Sequence, residues 1–284
     1  MGQRFFTLKK MTRSATGPYL YETIRHLLAH RRIPQLTQPQ TFNDKVGNRK
    51  LFEREADYPT LADKVRVRGV VAQRLGNSVL SDLYFAGANL ANLNVDALPQ
   101  AFVIKATHGS GPEFISFVHD KPSLPVGAVS ARAQALLDQD YGNITNEWWY
   151  TEIKPQVMVE EMLQDETFGI PIDYKFFVFH GRVAYIQVDY ARFERHTRTF
   201  YDRDWQPQEF VLKYPQGPVT DRPKLLSEMI EMAECLAAGF DFIRVDLYCV
   251  NDSRIVFGEL TLAPEAGWGR FQPARWDQLL GQLW

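Results

Sequence analysis

Cysteine is nearly absent from this sequence: Cys235 and Cys249 are the two, with no C-x-x-C and no histidine nearby at metal-ligand spacing. That excludes a disulfide scaffold and a cysteine-built metal site. Both read as buried small hydrophobes, Cys235 within a helical pattern and Cys249 within a strand pattern. Long apolar runs are also missing, since no window reaches about eighteen consecutive apolar residues. The basic opening stretch MGQRFFTLKKMTRS lacks the apolar core and small-residue cleavage site of a secretory leader. A reducing, cytoplasmic setting without stable membrane insertion is therefore expected, although Phe5, Phe6, Leu8, Lys9 and Lys10 offer weak contact with a membrane surface. Charge of one sign is not in excess either. With 32 basic and 34 acidic residues the net charge is -2, which gives no basis for a nucleic-acid partner. Any anion binding must come from local fields.

What is there is ordinary globular material, 45% apolar and 23% charged over 284 residues, enough for one large or two modest domains. Residues 18–32 place Leu20, Ile24, Leu27 and Leu28 at helical spacing. The Pro/Gln/Thr-rich stretch 33–48 reads as a linker or extended wrap, and 58–75 as a helix opened by Pro59 and stopped by Gly76. Residues 85–99 read as loop with one helical turn, 127–139 as a helix, and 144–153 as aromatic and irregular. Gln156–Leu163 is a short strand that turns acidic at Glu160 and Glu161. The clearest hairpin runs from Asp173 to Val188 around His180-Gly181, and 222–238 is an amphipathic helix ended by Gly239. Phe242–Val250 and Ile255–Leu262 form a further strand pair around Asn251-Asp252-Ser253. Helices mixed with many hairpins predict an α+β fold with antiparallel sheets.

Two stretches carry chemistry. The first is AFVIKATHGSGPEFISF, residues 101–117: an apolar strand interrupted by Lys105, a turn through His108, Gly109, Ser110 and Gly111, and a returning strand. A lysine in such a strand needs a partner, and glycines let backbone N–H groups converge on an anion. The result is a flap able to close over phosphates, although an ordinary hairpin with a snorkelling lysine fits the same residues. The second is the strand pair holding Asp246 in RVDLY and Glu259 in FGELT, with Arg244 alongside. Two carboxylates on paired strands suit a hard cation such as Mg²⁺, or a salt-bridged sheet. Apposed, they should repel each other when no metal is bound. Together with Lys64, Lys175, Glu160 and Glu161 these residues describe an ATP site, with cations and a backbone nest for a triphosphate and an acidic strand end for a ribose hydroxyl.

In those blocks the chain resembles the ATP-grasp superfamily, specifically its TupA-like branch. The similarity runs from about Thr41 to Trp284 through TFNDK, LADKVRVR, FVIKATHGSG, NEWWYTEIKPQVMVEEML, DYKFFVFHG, FYDRDW, FIRVDLY, FGELTLAP and FQPARWDQLLG. The resemblance implies an ATP-grasp fold of two α+β lobes holding ATP between antiparallel sheets: 1–98 a helical region leading in, 99–165 the small lobe with flap and hinge, and 166–284 the large lobe with the metal carboxylates. It implies that Lys64 and Lys105 contact phosphates with the His108–Gly111 turn, that Glu160, Glu161, Met162 and Leu163 form the adenine and ribose hinge, and that Lys175 reaches the triphosphate. Asp246 and Glu259 match the metal-binding carboxylates, but Thr261 stands where many members have Asn as the third ligand. The loop LAPEAGWGRF departs from the branch pattern at Pro264-Glu265-Ala266, so substrate preference is expected to differ.

The implied activity is an ATP- and Mg²⁺-dependent carboxylate–amine ligase working through an acyl phosphate, in which positioning and charge neutralisation do the catalysis. The expected substrates are an amine and a small carboxylate of uronic-acid type from cell-surface polysaccharide biosynthesis. Arg244, Arg270 and Arg275 are available for the acceptor carboxylate. Rival readings are a glycosyltransferase using the D-x-D of Asp202 and Asp204, an ATP-grasp kinase phosphorylating a hydroxyl, and a non-catalytic scaffold retaining the fold.

Overall fold

A computed structural model describes residues 2–190 and 195–284, with side chains described from residue 11 onward, so the side chains of the Phe5–Lys10 cluster lie outside what is described. Helix α1 (Gly2–His30) is broken at Gly17, where φ is 73° and ψ 170°. Its apolar stripe does not face inward: Leu20, Leu27 and Leu28 are exposed, while Tyr21, Glu22 and His26 are buried. The reason is that the inward face is fixed by polar partners. Glu22 pairs with the buried Lys50 at 2.8 Å and accepts from Trp268 Nε1 at 2.9 Å.

The stretch read as a linker contains the start of α2 (Phe42–Phe52). Thr41 caps it by accepting from Asp44 N at 3.2 Å, a signal hidden behind the Pro/Gln/Thr-rich lead-in. The single helix expected over 58–75 is two, α3 (Tyr58–Ala62) and α4 (Arg66–Leu75). Asp63 divides them, its Oδ1 accepting from Val65 N at 2.9 Å and Arg66 N at 3.2 Å. A strand, β1 (Leu83–Gly87), runs into the stretch 85–99 read as loop, before its helical turn. As an edge strand with both faces partly exposed, β1 lacks the alternation that marks a half-buried strand.

Strands β2 (Phe102–Ala106) and β3 (Ile115–Val118) pair antiparallel as expected. Helix α5 (Ala128–Leu137), two short helices α6 (Gly142–Thr145) and α7 (Trp148–Thr151), and β4 (Val157–Glu161) follow. The sheet order is β1-β4-β2-β3. Its core joins Phe102, Ile104, Phe114, Val157 and Val159 to Val129, Ala133 and Leu136 of α5. These elements lie in one compact unit, residues 56–164; residues 1–55 and 165–284 make the other.

The second unit is built on a five-stranded antiparallel sheet of β5 (Asp173–Phe179), β6 (Arg182–Tyr190), β7 (Thr197–Asp202), β9 (Phe242–Val250) and β10 (Arg254–Thr261), in the order β10-β9-β5-β6-β7. The short β8 (Val211–Leu212) pairs with β11 (Phe271–Gln272). The β5–β6 turn uses His180 and Gly181, both at positive φ, as a tight hairpin requires. Helix α8 (Leu226–Leu236) starts later than the pattern suggested, with Leu226 N bonded to Pro223 O, and α9 (Arg275–Leu283) closes the chain. Cys249 is buried but Cys235 is exposed, against expectation. Its place in a helical pattern left open which side of α8 it would occupy. The fold class is α+β with antiparallel sheets. Among the described residues no helix is long and apolar enough to cross a membrane.

His26 gives this architecture a pH dependence. It is fully buried, its ring centroid 4.2 Å from that of His30 and its Nε2 3.4 Å from Asp44 Oδ1. Burial first, then the fields of His30, Arg32 and Lys50, push its pKa down to about 2. Below the ordinary value near 6.5 the unfolded chain takes up a proton that the folded chain refuses, so stability falls with pH by about 1.4 kcal/mol per unit. Between pH 6.5 and 5 the wild type should lose about 2 kcal/mol more than His26→Gln in urea titrations. Parallel losses would contradict this.

Candidate active site

In the unit of residues 1–55 and 165–284, the sheet register lines up a charged row. Glu259 of β10 sits opposite Asp246 of β9, Asp246 opposite Lys175 of β5, and Lys175 opposite Gln187 of β6. Directly paired residues share a face, so strand pairing alone assembles the row. A bulge between Phe257 and Glu259 sets the register, and Gly258 permits it, since a Cβ there would stand 3.0 Å from Asp246 O.

Arg244 organises the row. Its Nε donates to Asp246 Oδ1 at 2.7 Å, and its Nη2 donates to Asp246 Oδ2 at 2.7 Å, Glu259 Oε1 at 3.1 Å and Thr261 Oγ1 at 2.9 Å. Lys175 Nζ donates to Asp246 Oδ2 at 2.6 Å and also to Asp173. Burial works against the Arg244 charge, but Asp246 and then Glu259 outweigh it and raise its pKa. Thr261 Oγ1 donates to Glu259 Oε1 at 3.0 Å, which orients its hydroxyl. Asp246 and Glu259 are thus bridged by a guanidinium, and the repulsion expected from the sequence is absent.

The unit of residues 56–164 holds the flap residues. Lys105 is paired with Glu160 of the neighbouring strand, which also accepts from Ser81 Oγ at 2.6 Å and lies 3.8 Å from Arg68. Burial opposes the Glu160 charge, yet Lys105 and Ser81 hold its carboxyl below the usual range. Lys64 donates to Gly109 O. His108 is buried with Nε2 3.1 Å from Gln139 O, and burial lowers its pKa, so the neutral ring donates from Nε2. A Cβ on Gly109 would meet the Phe114 ring at 2.4 Å, whereas Ser110 and Gly111 are only partly buried. The flap turn is therefore anchored at its first half and open at its second. Glu161 ends β4 with Oε2 3.3 Å from Asp82 N, and Met162 and Leu163 continue to the unit boundary after Gln164.

The remaining named residues have partners of their own. Arg270 is exposed, and its carbonyl accepts from Lys213 N at 3.1 Å. Arg275 is paired with Glu209 at the surface. Asp202 of the D-x-D accepts from Asp204 N at 3.0 Å and Gln206 N at 2.8 Å, the work of a turn residue. Sequence reasoning missed Asp173, Asp189 and Arg198. Arg198 Nε donates to Asp189 Oδ1 at 2.6 Å and Nη1 to Glu265 Oε1 at 3.1 Å. Their signal was available, because charges at alternate positions of apolar strands, as in Asp173/Lys175 and Arg244/Asp246, must share one face. Among the described residues no three His, Cys, Asp or Glu side chains gather as a ready-made metal cage.

The sequence profile of the family described as TupA-like ATPgrasp matches residues 44–284. No curated protein matches the chain. Similar solved structures include N5-carboxyaminoimidazole synthetase from Staphylococcus aureus complexed with ADP, at 10% identity and TM-score 0.45, covering 72% of this chain and 45% of that one. D-alanine–D-alanine ligase from Bacillus anthracis aligns at 14% identity and TM-score 0.44, covering 79% and 66%. The biotin carboxylase domain of 2-oxoglutarate carboxylase from Hydrogenobacter thermophilus, a complex with MgADP, ADP and bicarbonate, aligns at 12% identity and TM-score 0.44, covering 72% and 40%. This chain therefore spans less than half the length of the synthetase and of the carboxylase domain.

The Arg244 cluster makes a stability prediction opposite to the one the isolated carboxylate pair suggested. Asp246→Asn strips charge from between two buried cations and should destabilise the fold by about 3–5 kcal/mol in urea denaturation. Glu259, whose side chain is 30% exposed, should cost about 1 kcal/mol or less as Gln. A neutral or stabilising Asp246→Asn would overturn this account.

Proposed function

Because the chain belongs to the TupA-like ATP-grasp family, we propose that it is an ATP-dependent ligase that activates a carboxylate as an acyl phosphate and joins it to an amine. The observation that carries this reading is the Arg244–Asp246–Lys175–Glu259 row. Three carboxylates, those of Asp173, Asp246 and Glu259, are gathered there around Lys175 and Arg244. Hard oxygen donors of this kind suit Mg²⁺, which is commonly held by one or two carboxylates with substrate phosphates completing its shell. Asp246 and Glu259 would hold the ion with Thr261 beside them, and the ion would supply charge neutralisation at the phosphates. Lys175 and Arg244 bring fixed positive charge to the same place without reorganisation.

In this reading residues 166–284 serve as the metal-holding lobe and residues 99–165 as the lobe that covers the nucleotide, with 1–98 leading in. Lys64, Lys105 and the His108–Gly111 turn would face phosphates, and Glu160–Leu163 would receive adenine and ribose. The bond changes are balanced: a carboxylate oxygen attacks the γ-phosphorus, the bridging Pβ–O–Pγ bond breaks and ADP leaves. The amine then attacks the acyl carbon, the C–O bond to phosphate breaks, and the amine proton is lost. The acceptor is a small carboxylate of uronic-acid type for cell-surface polysaccharide, and the setting is the ATP-supplied cytoplasm.

With ATP, Mg²⁺, D-glucuronate or D-galacturonate, and hydroxylamine as the amine, the enzyme should release phosphate and form a hydroxamate. Lys105→Met should slow this by about 10²–10³ and still fold, since Ser81 and Arg68 continue to serve Glu160. A phosphorylated sugar in place of hydroxamate would make the protein a kinase, and full activity of Lys105→Met would remove that lysine from the site.

A further inference from the structure

The outer face of α1 is apolar and open to solvent. Of the fifteen large apolar side chains exposed among the described residues, six fall within a short stretch of chain: Tyr19, Leu20, Leu27, Leu28, Ile33 and Phe52. Leu20, Ile24, Leu27 and Leu28 have the spacing of one helix face, and Leu28 is 74% exposed. We propose that this face pairs with its own copy, two α1 helices packing antiparallel about a two-fold axis.

The stripe cannot turn inward. The opposite side of α1 is pinned by the buried Glu22–Lys50 pair at 2.8 Å, by Trp268 Nε1 donating to Glu22 at 2.9 Å and by His30 Nε2 3.0 Å from Gly267 O. Rotating the helix would strip buried charges of their partners. Contiguous apolar surface held out in water marks an interaction site. The two ends of this surface differ in chemistry. At its start the Tyr19 and Phe52 rings stand 6.4 Å apart, and Glu53 and Glu55 follow Phe52 with accessible carboxylates. Arg54, between them, donates to Glu53 O at 2.6 Å. At the other end Arg31 is exposed, with its N bonded to Leu27 O at 2.8 Å, one turn beyond that leucine.

A face that is aromatic and acidic at one end and cationic at the other is complementary to itself when turned end to end. Centring the axis between Ile24 and Leu27 sets Leu27 of each copy against Ile24 of the other, Leu28 against Thr23, and Arg31 against Leu20. The Arg31 guanidinium then meets the aromatic end, with Tyr19 and Phe52 as faces for a cation and Glu53 as an opposite charge. Such a pairing uses the same patch on both copies and closes as a dimer. An anionic membrane is a poorer match. Arg25 is committed to the Trp268 ring, 4.3 Å from its centroid, and Arg32 to Asp44 at 2.9 Å, while Glu53 and Glu55 would be repelled by anionic headgroups.

The test is sedimentation equilibrium of the full chain from about 1 to 200 µM, a range that brackets the weak affinity expected of a small interface. The wild type should pass from monomer to dimer within it. Leu28→Glu should raise the dissociation constant about tenfold or more, and Arg31→Glu about fivefold. Both side chains are exposed, so each variant should keep the wild-type urea midpoint. Val126→Glu, at a fully exposed apolar position in the unit of residues 56–164, should leave the dissociation constant unchanged. A monomer throughout the range, or a dimer that neither Leu28→Glu nor Arg31→Glu weakens, would overturn the proposal. So would a monomer that co-sediments with phosphatidylglycerol–phosphatidylcholine vesicles and loses them in Leu28→Glu, because the face would then belong to a membrane.

Discussion

The Arg244 guanidinium, buried between Asp246, Glu259 and Thr261, is the interaction on which the sheet of the larger unit depends. Each carboxylate it bonds would be costly to bury alone, and Arg244 itself could not be buried without them. Lys175 repeats the arrangement one strand over, between Asp173 and Asp246. The strands carrying these groups are otherwise apolar, so the charges are gathered on one stretch of one face while Phe177, Phe179 and Phe242 pack together farther along. A fold that needed only stability would be served as well by apolar residues in these places. Five ionisable side chains, Asp173, Lys175, Arg244, Asp246 and Glu259, are gathered there instead.

Much of this was legible in the chain. Alternating apolar strands broken by single charges predicted the antiparallel hairpins, and the Asp246/Glu259 juxtaposition followed from the short turn at Asn251-Asp252-Ser253 that joins their strands. Lys105 in an apolar strand required a partner, and Glu160 is that partner. What periodicity did not reveal was which face of a helix turns inward when that face is polar. In α1 the buried side is Tyr21, Glu22 and His26, held by Lys50 and Trp268 from distant parts of the sequence, while the apolar stripe faces solvent. The Thr41 cap of α2 and the edge strand β1 were missed for local reasons, a misleading lead-in and a lack of alternation. The bridging role of Arg244 was within reach, because residues 244 and 246 share a strand face, but the isolated carboxylate pair suggested repulsion instead.

The two clusters have different characters. In the unit of residues 56–164 the Lys105–Glu160 pair and the Lys64–Gly109 bond fix the base of the flap, and the Ser110–Gly111 tip is left open. In the other unit Arg244 is bonded to both Asp246 and Glu259, so in the proposed ligase a phosphate-bound cation would draw one of these carboxylates partly away from Arg244. Glu259 is the more exposed of the two and is the natural point of entry, whereas Asp246 is locked by two cations.

That claim is tested most directly by measuring ATP affinity with and without Mg²⁺ in the wild type and in Glu259→Gln. The account predicts that Mg²⁺ tightens ATP binding in the wild type and that Glu259→Gln removes most of this enhancement while keeping the metal-free affinity. An undiminished Mg²⁺ enhancement in Glu259→Gln would mean that the Arg244 row is a structural ion cluster and that the cation is held elsewhere.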